Sequence, residues 1–247
     1  MSLKMYFGLE RTREYCRAVA ELASRHPAVV SGAIELFVIP STPFLTEARL
    51  ALGDTPVRLG AQNLHWADEG AFTGEVGGPQ LVEVGAELVE VGHAERRRLF
   101  GETEEVVALK SAAALRAGLV PVVCVGEPER ATPDAAAAVV GRQVRSALAD
   151  AGPGRVIVAY EPVWAIGAAE PAEAGHVRAV STHVSTLLGG LPGRTGSTVV
   201  YGGSAGPGLL GELFPHVGGL FLGRFAHDPS GLHRVLDDAA DCLRIPR

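Results

Sequence analysis

Short apolar runs rich in β-branched residues recur along the whole chain, and stretches of helical periodicity separate them. The runs predict buried strands at residues 35–39, 57–61, 88–91, 120–125, 156–160, 198–201 and 219–222. The intervening stretches predict helices at residues 12–25, 103–117, 134–150, 171–188 and 230–242, several of which open with a capping residue or an early proline. Strands that alternate with helices in this way form βαβ units, so we expect an α/β fold with a parallel sheet.

The number of units predicts how the sheet closes. Residues 4–7 can supply one more strand, which brings the total to eight. A chain of 247 residues divided among eight units gives about 31 residues per unit, close to the size of one βαβ repeat. We therefore expect a (β/α)₈ barrel that forms a single domain over residues 1–247, and not an open doubly wound sheet. The first strand is short, because only Ser2 and Leu3 lie between Met1 and Lys4.

Composition excludes several classes of partner. The net charge is −6, the sequence pI is near 5.8 and the one basic cluster is residues 96–98, so neither nucleic acid nor a membrane surface is an expected partner. Cys16, Cys124 and Cys242 lie far apart without metal-ligand spacing, which predicts neither disulfides nor a zinc site, and no cofactor is expected. The apolar runs are too short to span a membrane and no signal-peptide pattern is present, so we expect a soluble cytoplasmic protein.

Polar residues follow several of the predicted strands. In a barrel of parallel strands the active site is formed by the loops at the C-terminal ends of the strands, so these residues are the candidates for chemistry. They are Lys4 in the first strand and residues 92–97, 160–167 and 201–204. A small molecule is therefore the expected partner at this end of the barrel.

Four further motifs occur in order along the chain: Gly60-Ala61-Gln62-Asn63, Gly70-Ala71-Phe72-Thr73-Gly74-Glu75, Phe100-Gly101-Glu102 and Cys124-Val125-Gly126-Glu127. Together with the strand-end segments they resemble the triosephosphate isomerase family over nearly the whole chain. The resemblance implies a TIM barrel that acts on a small phosphorylated sugar. It also implies the interconversion of D-glyceraldehyde 3-phosphate and dihydroxyacetone phosphate through an enediolate, as in glycolysis and gluconeogenesis.

The resemblance assigns the proton transfer to Glu161, His93 and Lys4. Moving a proton from a carbon beside a carbonyl needs a positioned base, here Glu161, which Pro162 helps to fix at the strand end. His93, at the start of a helix, is expected to act as a neutral imidazole on the substrate oxygens, and Lys4 to balance negative charge. The following lid is expected to exclude water, and it consists of Pro162, Val163, Trp164, Ala165 and Ile166.

Backbone N–H groups beside glycines are expected to bind the phosphate, because a dianion there needs close approach of the backbone. The resemblance places these groups and the neighbouring substrate contacts at Ser2, Gly167, Gly202, Gly203, Ser204, Gly223 and Arg224. Three positions depart from the family pattern: Ser2 replaces an asparagine, Ala94 a serine and Arg224 the second glycine of a pair. Arg224 either points into solvent, adds a charge at the phosphate or reshapes the pocket.

The loop after the predicted third strand bears on the oligomeric state. In the family this loop crosses to the partner subunit and brings a threonine, here Thr73, near the neighbouring active site. The loop is not shortened in this chain, so a homodimer is expected. Arg96 and Glu75 are expected to form buried charge pairs in this region, with a structural role.

The identity of the sugar phosphate stays open between two choices. The three-carbon substrates are the first choice, because Lys4, His93 and Glu161 are all present. A four-carbon tetrulose phosphate of the erythrulose phosphate type is the alternative, which the departures at Ser2, residues 65–68 and residues 223–224 favour. An inactive sugar-phosphate-binding barrel is a third hypothesis, which the same three residues argue against. An aldolase barrel is excluded, because the only lysines are Lys4 and Lys110, and neither lies late in the barrel.

Overall fold

Six parallel strands form the centre of the computed structural model, which describes residues 1–168 and 170–244. Ala169 and residues 245–247, which the predicted domain includes, lie outside the described residues. The strands are hydrogen-bonded in chain order, and they are β1 (Phe37–Val38), β2 (Arg58–Ala61), β3 (Leu88–Val91), β4 (Val120–Val125), β5 (Ile157–Tyr160) and β6 (Thr198–Tyr201). Each predicted strand from β1 to β6 is confirmed, with bounds that agree to within two residues.

Two further segments close the sheet into a ring. The segment at 219–222 pairs with β6, since the Tyr201 amide donates to the Gly219 carbonyl at 3.1 Å. The segment at 1–3 pairs with the end of β1, since the Leu3 amide donates to the Ile39 carbonyl at 2.9 Å. The two segments meet where the Ser2 amide donates to the Leu222 carbonyl at 3.0 Å. The predicted (β/α)₈ barrel is confirmed.

The prediction of a first strand at residues 4–7 is wrong. The strand interactions lie at residues 1–3, and Lys4 has a φ of 48°, a left-handed conformation that no strand continues through. The Tyr6 amide then donates to the Leu3 carbonyl at 3.3 Å, which closes a turn. Lys4 therefore lies at the C-terminal end of the first strand segment, where side chains face the mouth of the barrel.

Helices cover the outside of the ring. They are α1 (Leu9–Arg25), α2 (Pro27–Val30), α3 (Leu45–Leu52), α4 (Gly78–Glu83), α5 (Ala94–Phe100), α6 (Glu104–Arg116), α7 (Pro133–Leu148), α8 (Ala174–Gly190), α9 (Leu209–Leu213) and α10 (Pro229–Arg244). Threonines cap α6 and α7, because Thr103 and Thr132 each accept a hydrogen bond from the amide three residues on, at 3.4 Å. None of the helices in the described part of the chain is long and apolar enough to cross a membrane.

The interior of the ring is a small apolar core of its own, separate from the layer between strands and helices. It is filled from successive strands by Phe37, Ile39, Leu88, Val122, Cys124, Ile157, Ala159, Val200 and Phe221. Gly60 leaves space for this packing, because a Cβ there would lie 2.8 Å from the side chain of Ile39. Side chains alternate along a strand, so Glu90, two residues after Leu88, faces the same interior.

Candidate active site

A cavity of about 700 Å³ opens at the C-terminal ends of the strands, and we call it the mouth cavity. The loops after the strands supply its walls, and the lining includes Ser2, Lys4, His93, Ala94, Glu161, Ile166, Gly167, Gly202, Gly203, Ser204, Gly223 and Arg224. The barrel thus brings together side chains that are up to 222 positions apart in the sequence. The residues predicted to act on the substrate and on its phosphate share this one cavity.

Glu161 follows β5 directly and is buried, with 4% of its surface exposed. Its amide donates to the carbonyl of Val125 at 2.8 Å, which continues the strand ladder and fixes the backbone. Neighbouring loops approach it closely: a Cβ at Gly202 would lie 2.7 Å from the carboxylate, and a Cβ at Gly126 would overlap its carbonyl oxygen. Only glycine fits at these two positions, so the side chain is enclosed by backbone.

The carboxylate of Glu161 is buried, but one of its oxygens is free to interact with a substrate. Its Oε2 atom has no hydrogen-bond partner among the residues that the structure describes. Burial raises its pKa to about 7, and the carboxylate of Glu90 adds to the increase, while His93 and Lys4 oppose it. A carboxylate with a pKa near neutrality is a stronger base than an ordinary glutamate and is still about half ionised at pH 7, which suits it to proton transfer.

His93 caps the N-terminus of α5 and is also buried. Its Nδ1 accepts a hydrogen bond from the Glu95 amide at 3.2 Å, so in the neutral ring the hydrogen lies on Nε2. The Nε2 atom lies 3.7 Å from Oε2 of Glu161 and 3.8 Å from Oε1 of Glu90. The Nε2 hydrogen of His93 and the unpartnered Oε2 of Glu161 therefore lie close together in the cavity, where a single substrate could contact both.

Lys4 contributes a cation to the same cavity. Two hydrogen bonds to its carbonyl, from Ser41 Oγ and Gln62 Nε2 at 2.8 Å each, hold its left-handed backbone. Its ammonium donates to Oε1 of Glu95 at 2.7 Å. Burial raises the pKa of Glu95, but the hydrogen bond and charge of Lys4, with His93, hold that pKa below its ordinary value. Ala94 lies between His93 and Glu95, where it donates no side-chain hydrogen bond.

Glycine-rich backbone forms the wall around Gly167, Gly202 and Gly203. Gly167 has a φ of 73°, and a Cβ at Gly203 would overlap the hydroxyl of Tyr201, so these positions need glycine. The guanidinium of Arg224 approaches this wall, with an Nη 3.6 Å from where a Cβ of Gly167 would lie. Arg224 therefore lines the cavity, although much of its surface is exposed to solvent.

A family model described as triosephosphate isomerase matches residues 1–239. The chain belongs to the triosephosphate isomerase family. It is similar to the L-erythrulose-1-phosphate isomerase of Pectobacterium atrosepticum, with 47% identity over 97% of this chain and 94% of that protein. The protein of the same name from Mycolicibacterium smegmatis is 42% identical, over 97% of this chain and 91% of its own length.

A solved triosephosphate isomerase from Bartonella henselae has the same architecture. It matches with a TM-score of 0.81 and 30% identity, over 99% of this chain and 97% of that chain. With the family model and the named relatives, this match identifies the chain as a sugar-phosphate isomerase of the triosephosphate isomerase type. The buried carboxylate, the imidazole and the lysine in the mouth cavity are the groups that such an isomerase needs.

The predicted lid lies over the mouth cavity and is attached to the barrel through a buried glutamate. Val163–Ala165 forms a 3₁₀ turn after Pro162, and the indole of Trp164 donates to Oε1 of Glu127 at 2.9 Å. The side chains of Val163 and Ile166 line the cavity. Glu127, only 1% exposed, also accepts hydrogen bonds from the hydroxyl of Tyr160 at 3.1 Å and 3.2 Å. The lid is therefore bound to the ends of β4 and β5.

A second attachment lies at the far end of the lid. The Ala172 amide donates to the hydroxyl of Tyr201 at 3.0 Å, and the hydroxyl of Ser204 donates to the Ala168 carbonyl at 2.6 Å. The following helix, α8, begins at Ala174 and not at the predicted residue 171. Hydrogen bonds therefore hold the lid at Trp164 and hold the chain just after it at Ala168 and Ala172.

The predicted interface residues lie away from the mouth cavity. Thr73 and Glu75 are exposed on the loop between β2 and α4, where the ring of His65 packs on Phe72 with centroids 4.1 Å apart. Arg96 forms its ion pair with Glu102 of the same chain at 2.5 Å. Glu75 is exposed and has no ion-pair partner among residues 1–168 and 170–244, so its buried charge pair at a subunit interface stays a prediction.

Sequence reasoning missed Glu90, Glu127 and His176. Nε2 of His176 lies 3.1 Å from Oε1 of Glu127 and 3.0 Å from the Tyr160 hydroxyl. Glu90 carried a signal, because a charged residue within a buried apolar strand is rare and needs partners. Glu127 was noted only as part of a motif, and its contacts with residues up to 49 positions away are visible only in the fold.

Proposed function

We propose that the protein isomerises a four-carbon ketose phosphate of the L-erythrulose 1-phosphate type. The observation that carries the proposal is the similarity to curated relatives of that name, which include a Rhizobium etli protein 41% identical over 95% of this chain. The identity to the solved triosephosphate isomerase is lower, at 30%. These relatives favour the alternative of the sequence analysis over its first choice, the three-carbon substrates.

The chemistry differs from the three-carbon reaction by one substituent. L-Erythrulose 1-phosphate has its carbonyl on the second carbon and a hydroxyl on the third. Removal of the proton from the third carbon gives an enediolate across these two carbons. Return of a proton to the second carbon leaves the carbonyl on the third. The product is the isomeric ketose phosphate, and the phosphate and reacting carbons keep the relative positions they have in dihydroxyacetone phosphate.

The residues of the mouth cavity can perform each step. Glu161 removes the proton and returns it, since Oε2 of its carboxylate has no hydrogen-bond partner among the described residues and its pKa is raised to about 7. The Nε2 hydrogen of His93, 3.7 Å from that carboxylate, donates to the oxygens of the enediolate. The ammonium of Lys4 balances the charge that develops there. The lid then keeps water from the enediolate, which would otherwise lose its phosphate.

In this proposal the phosphate is bound by the backbone around Gly167, Gly202 and Gly203 and by Arg224. Backbone N–H groups near Gly167 and Gly203 can approach a dianion closely, and Gly202, whose own amide donates to Tyr160, leaves the space that this approach needs. The guanidinium of Arg224 beside Gly167 adds a charge and two parallel donors, the geometry that suits a phosphate. Ser204 contributes its backbone only, since its hydroxyl donates to the carbonyl of Ala168.

A homodimer is part of the proposal. The loop between β2 and α4 exposes Trp66 at 39% and Phe72 at 43%, and large apolar side chains on a protruding loop are typical of an interface. Sedimentation of the purified protein should give a species of about twice 25.7 kDa. Sedimentation as a monomer across the micromolar range would contradict it.

The substrate is tested by comparing two sugar phosphates on the purified enzyme. L-Erythrulose 1-phosphate and D-glyceraldehyde 3-phosphate are each followed by ³¹P NMR, which reports both reactions without a coupling enzyme. We expect kcat/KM for the four-carbon substrate to exceed that for the three-carbon substrate by at least about tenfold. Turnover of glyceraldehyde 3-phosphate alone would overturn the proposal in favour of the three-carbon reaction.

A further inference from the structure

A second glutamate lies beneath the mouth cavity, inside the ring of strands. Glu90 of β3 is 3% exposed, and its side chain enters an interior that is otherwise filled by apolar residues such as Leu88 and Val122. A buried carboxylate is unfavourable unless it has hydrogen-bond partners. The proton transfer described above does not use Glu90 as an acid or a base.

The partner of Glu90 is a residue of the cavity wall. The hydroxyl of Ser2 donates to Oε2 of Glu90 at 3.0 Å, across 88 positions of sequence. A serine hydroxyl has one hydrogen and two lone pairs. Because Glu90 takes the hydrogen, the oxygen of Ser2 presents only lone pairs to the cavity. The pair therefore makes Ser2 a hydrogen-bond acceptor, where an asparagine, the residue usual in the family, would offer donor hydrogens.

The pair lies beside the reacting carbons. Oε1 of Glu90 is 3.8 Å from Nε2 of His93, and the same nitrogen is 3.7 Å from the carboxylate of Glu161. The carbon that loses its proton must lie next to Glu161 and His93 for the reaction to occur. Any group bonded to that carbon is then also near Ser2 and Glu90.

A four-carbon substrate carries a hydroxymethyl group on that carbon, in a place where dihydroxyacetone phosphate has only hydrogen. We propose that Ser2 accepts a hydrogen bond from this hydroxyl and that Glu90 holds Ser2 in the accepting orientation. Ser2 is then a specificity-determining residue and Glu90 a positioning residue. The shorter side chain of serine also leaves space for the extra carbon. This inference rests on the proposed function, because a three-carbon substrate has no such group.

The main test uses Ser2→Ala and Glu90→Leu, with kcat and KM measured for L-erythrulose 1-phosphate and D-glyceraldehyde 3-phosphate. The quantity of interest is kcat/KM for the four-carbon substrate divided by kcat/KM for the three-carbon substrate. We expect each variant to lower this ratio about 10- to 100-fold, because one hydrogen bond to a substrate hydroxyl is lost. Ser181→Ala is the matched control, because Ser181 is fully buried on α8, outside the ring, and the ratio should not change.

Glu90→Gln separates positioning from charge, and it keeps the test available if Glu90→Leu does not fold. Glutamine retains an oxygen that accepts from Ser2, so the substrate ratio should stay within about threefold of wild type. Both Glu90 variants remove a repulsion that raises the pKa of Glu161, so both should shift the pH profile of kcat/KM to lower pH. His93, Lys4 and Cys124, the other groups facing Glu161, are unchanged in these variants.

The outcomes of the two tests can be told apart. A wild-type enzyme without activity on L-erythrulose 1-phosphate overturns the proposed function and this inference together. A wild-type enzyme that prefers this substrate, with variants in which both substrates lose activity in parallel, leaves the function intact and overturns the inference. A normal melting temperature in each variant shows that the change is in the site and not in the fold.

Discussion

Glu161 and Glu127 are two buried glutamates at the ends of neighbouring strands, and their surroundings differ. Glu127 is 1% exposed and accepts hydrogen bonds from Tyr160 and Trp164, with His176 at 3.1 Å. Glu161 is 4% exposed, and its Oε2 has no partner among the described residues. Burial alone therefore does not decide what a carboxylate does. A carboxylate with several donors fixes structure, whereas one without them is available for a proton.

The largest expected effect is on turnover, from changes at Glu161. Glu161→Gln removes the base and should lower kcat about 1,000-fold, within the range typical of general-base catalysis. Glu161→Asp retains a base but withdraws it by one methylene, so kcat should fall at least about 100-fold with KM little changed. Steady-state kinetics on the preferred substrate measures both. A rise in KM with normal kcat would contradict the assignment of Glu161 as the base.

The next effect is on stability, from removal of Glu127. Glu127→Ala leaves the Trp164 indole without its acceptor and leaves Tyr160 and His176 with only each other as partners, so the free energy of unfolding should fall by about 3 kcal/mol. Urea denaturation measures the change. Glu161→Gln serves as the comparison, because it removes no hydrogen bond from Oε2 and should not destabilise the protein. Equal losses of unfolding free energy in the two variants would contradict the assignment of a structural role to Glu127 but not to Glu161.

The pH dependence of stability tests whether burial raises the pKa of Glu161. The pKa of Glu161 is raised from 4.5 to about 7, so the folded protein binds more protons than the unfolded chain between these values. Stability therefore falls as pH rises through this window. Relative to Glu161→Gln, wild type should lose about 2 to 3 kcal/mol between pH 5 and pH 8. Parallel unfolding curves for the two proteins at both pH values would show that the pKa is not raised.

The smallest expected effect is on the lid. Trp164→Phe removes the hydrogen bond to Glu127 but keeps an aromatic ring, so kcat should fall about fivefold with unchanged stability. Trp66→Phe is the matched control, because Trp66, the other of the two tryptophans, lies on the loop between β2 and α4 and not on the lid. Stopped-flow or steady-state kinetics measures kcat for both variants. Equal kcat values would show that the hydrogen bond between Trp164 and Glu127 does not contribute to turnover.

Local patterns in the sequence were enough to predict the ring of strands and the mouth of the barrel. Apolar runs located β1 to β6, and the strand-end rule located His93 and Glu161. The first strand was misplaced because the conformation of Lys4 depends on hydrogen bonds from Ser41 and Gln62, which are far away in the sequence. A pattern of residue types does not contain such contacts.

Pairs of buried polar residues could not be predicted for the same reason. Ser2 meets Glu90 across 88 positions, and Glu127 meets His176 across 49. Ser2, Glu127 and His176 are each alone consistent with a solvated side chain, and only the closure of the ring brings the members of each pair together. The sequence did signal Glu90 as an unusual charge in an apolar strand, which a search for unpaired polar residues in buried strands would have found.

The central claim is that Glu161, the glutamate without hydrogen-bond partners at Oε2, carries the proton while Glu127 does not. Isomerisation in D₂O tests it directly, because a proton taken up by a side chain exchanges with solvent before it returns to the substrate carbon. NMR should show deuterium in the product formed by wild type and by Glu127→Gln, and no enzyme-dependent incorporation with Glu161→Gln. Incorporation by Glu161→Gln at the wild-type rate would contradict the account.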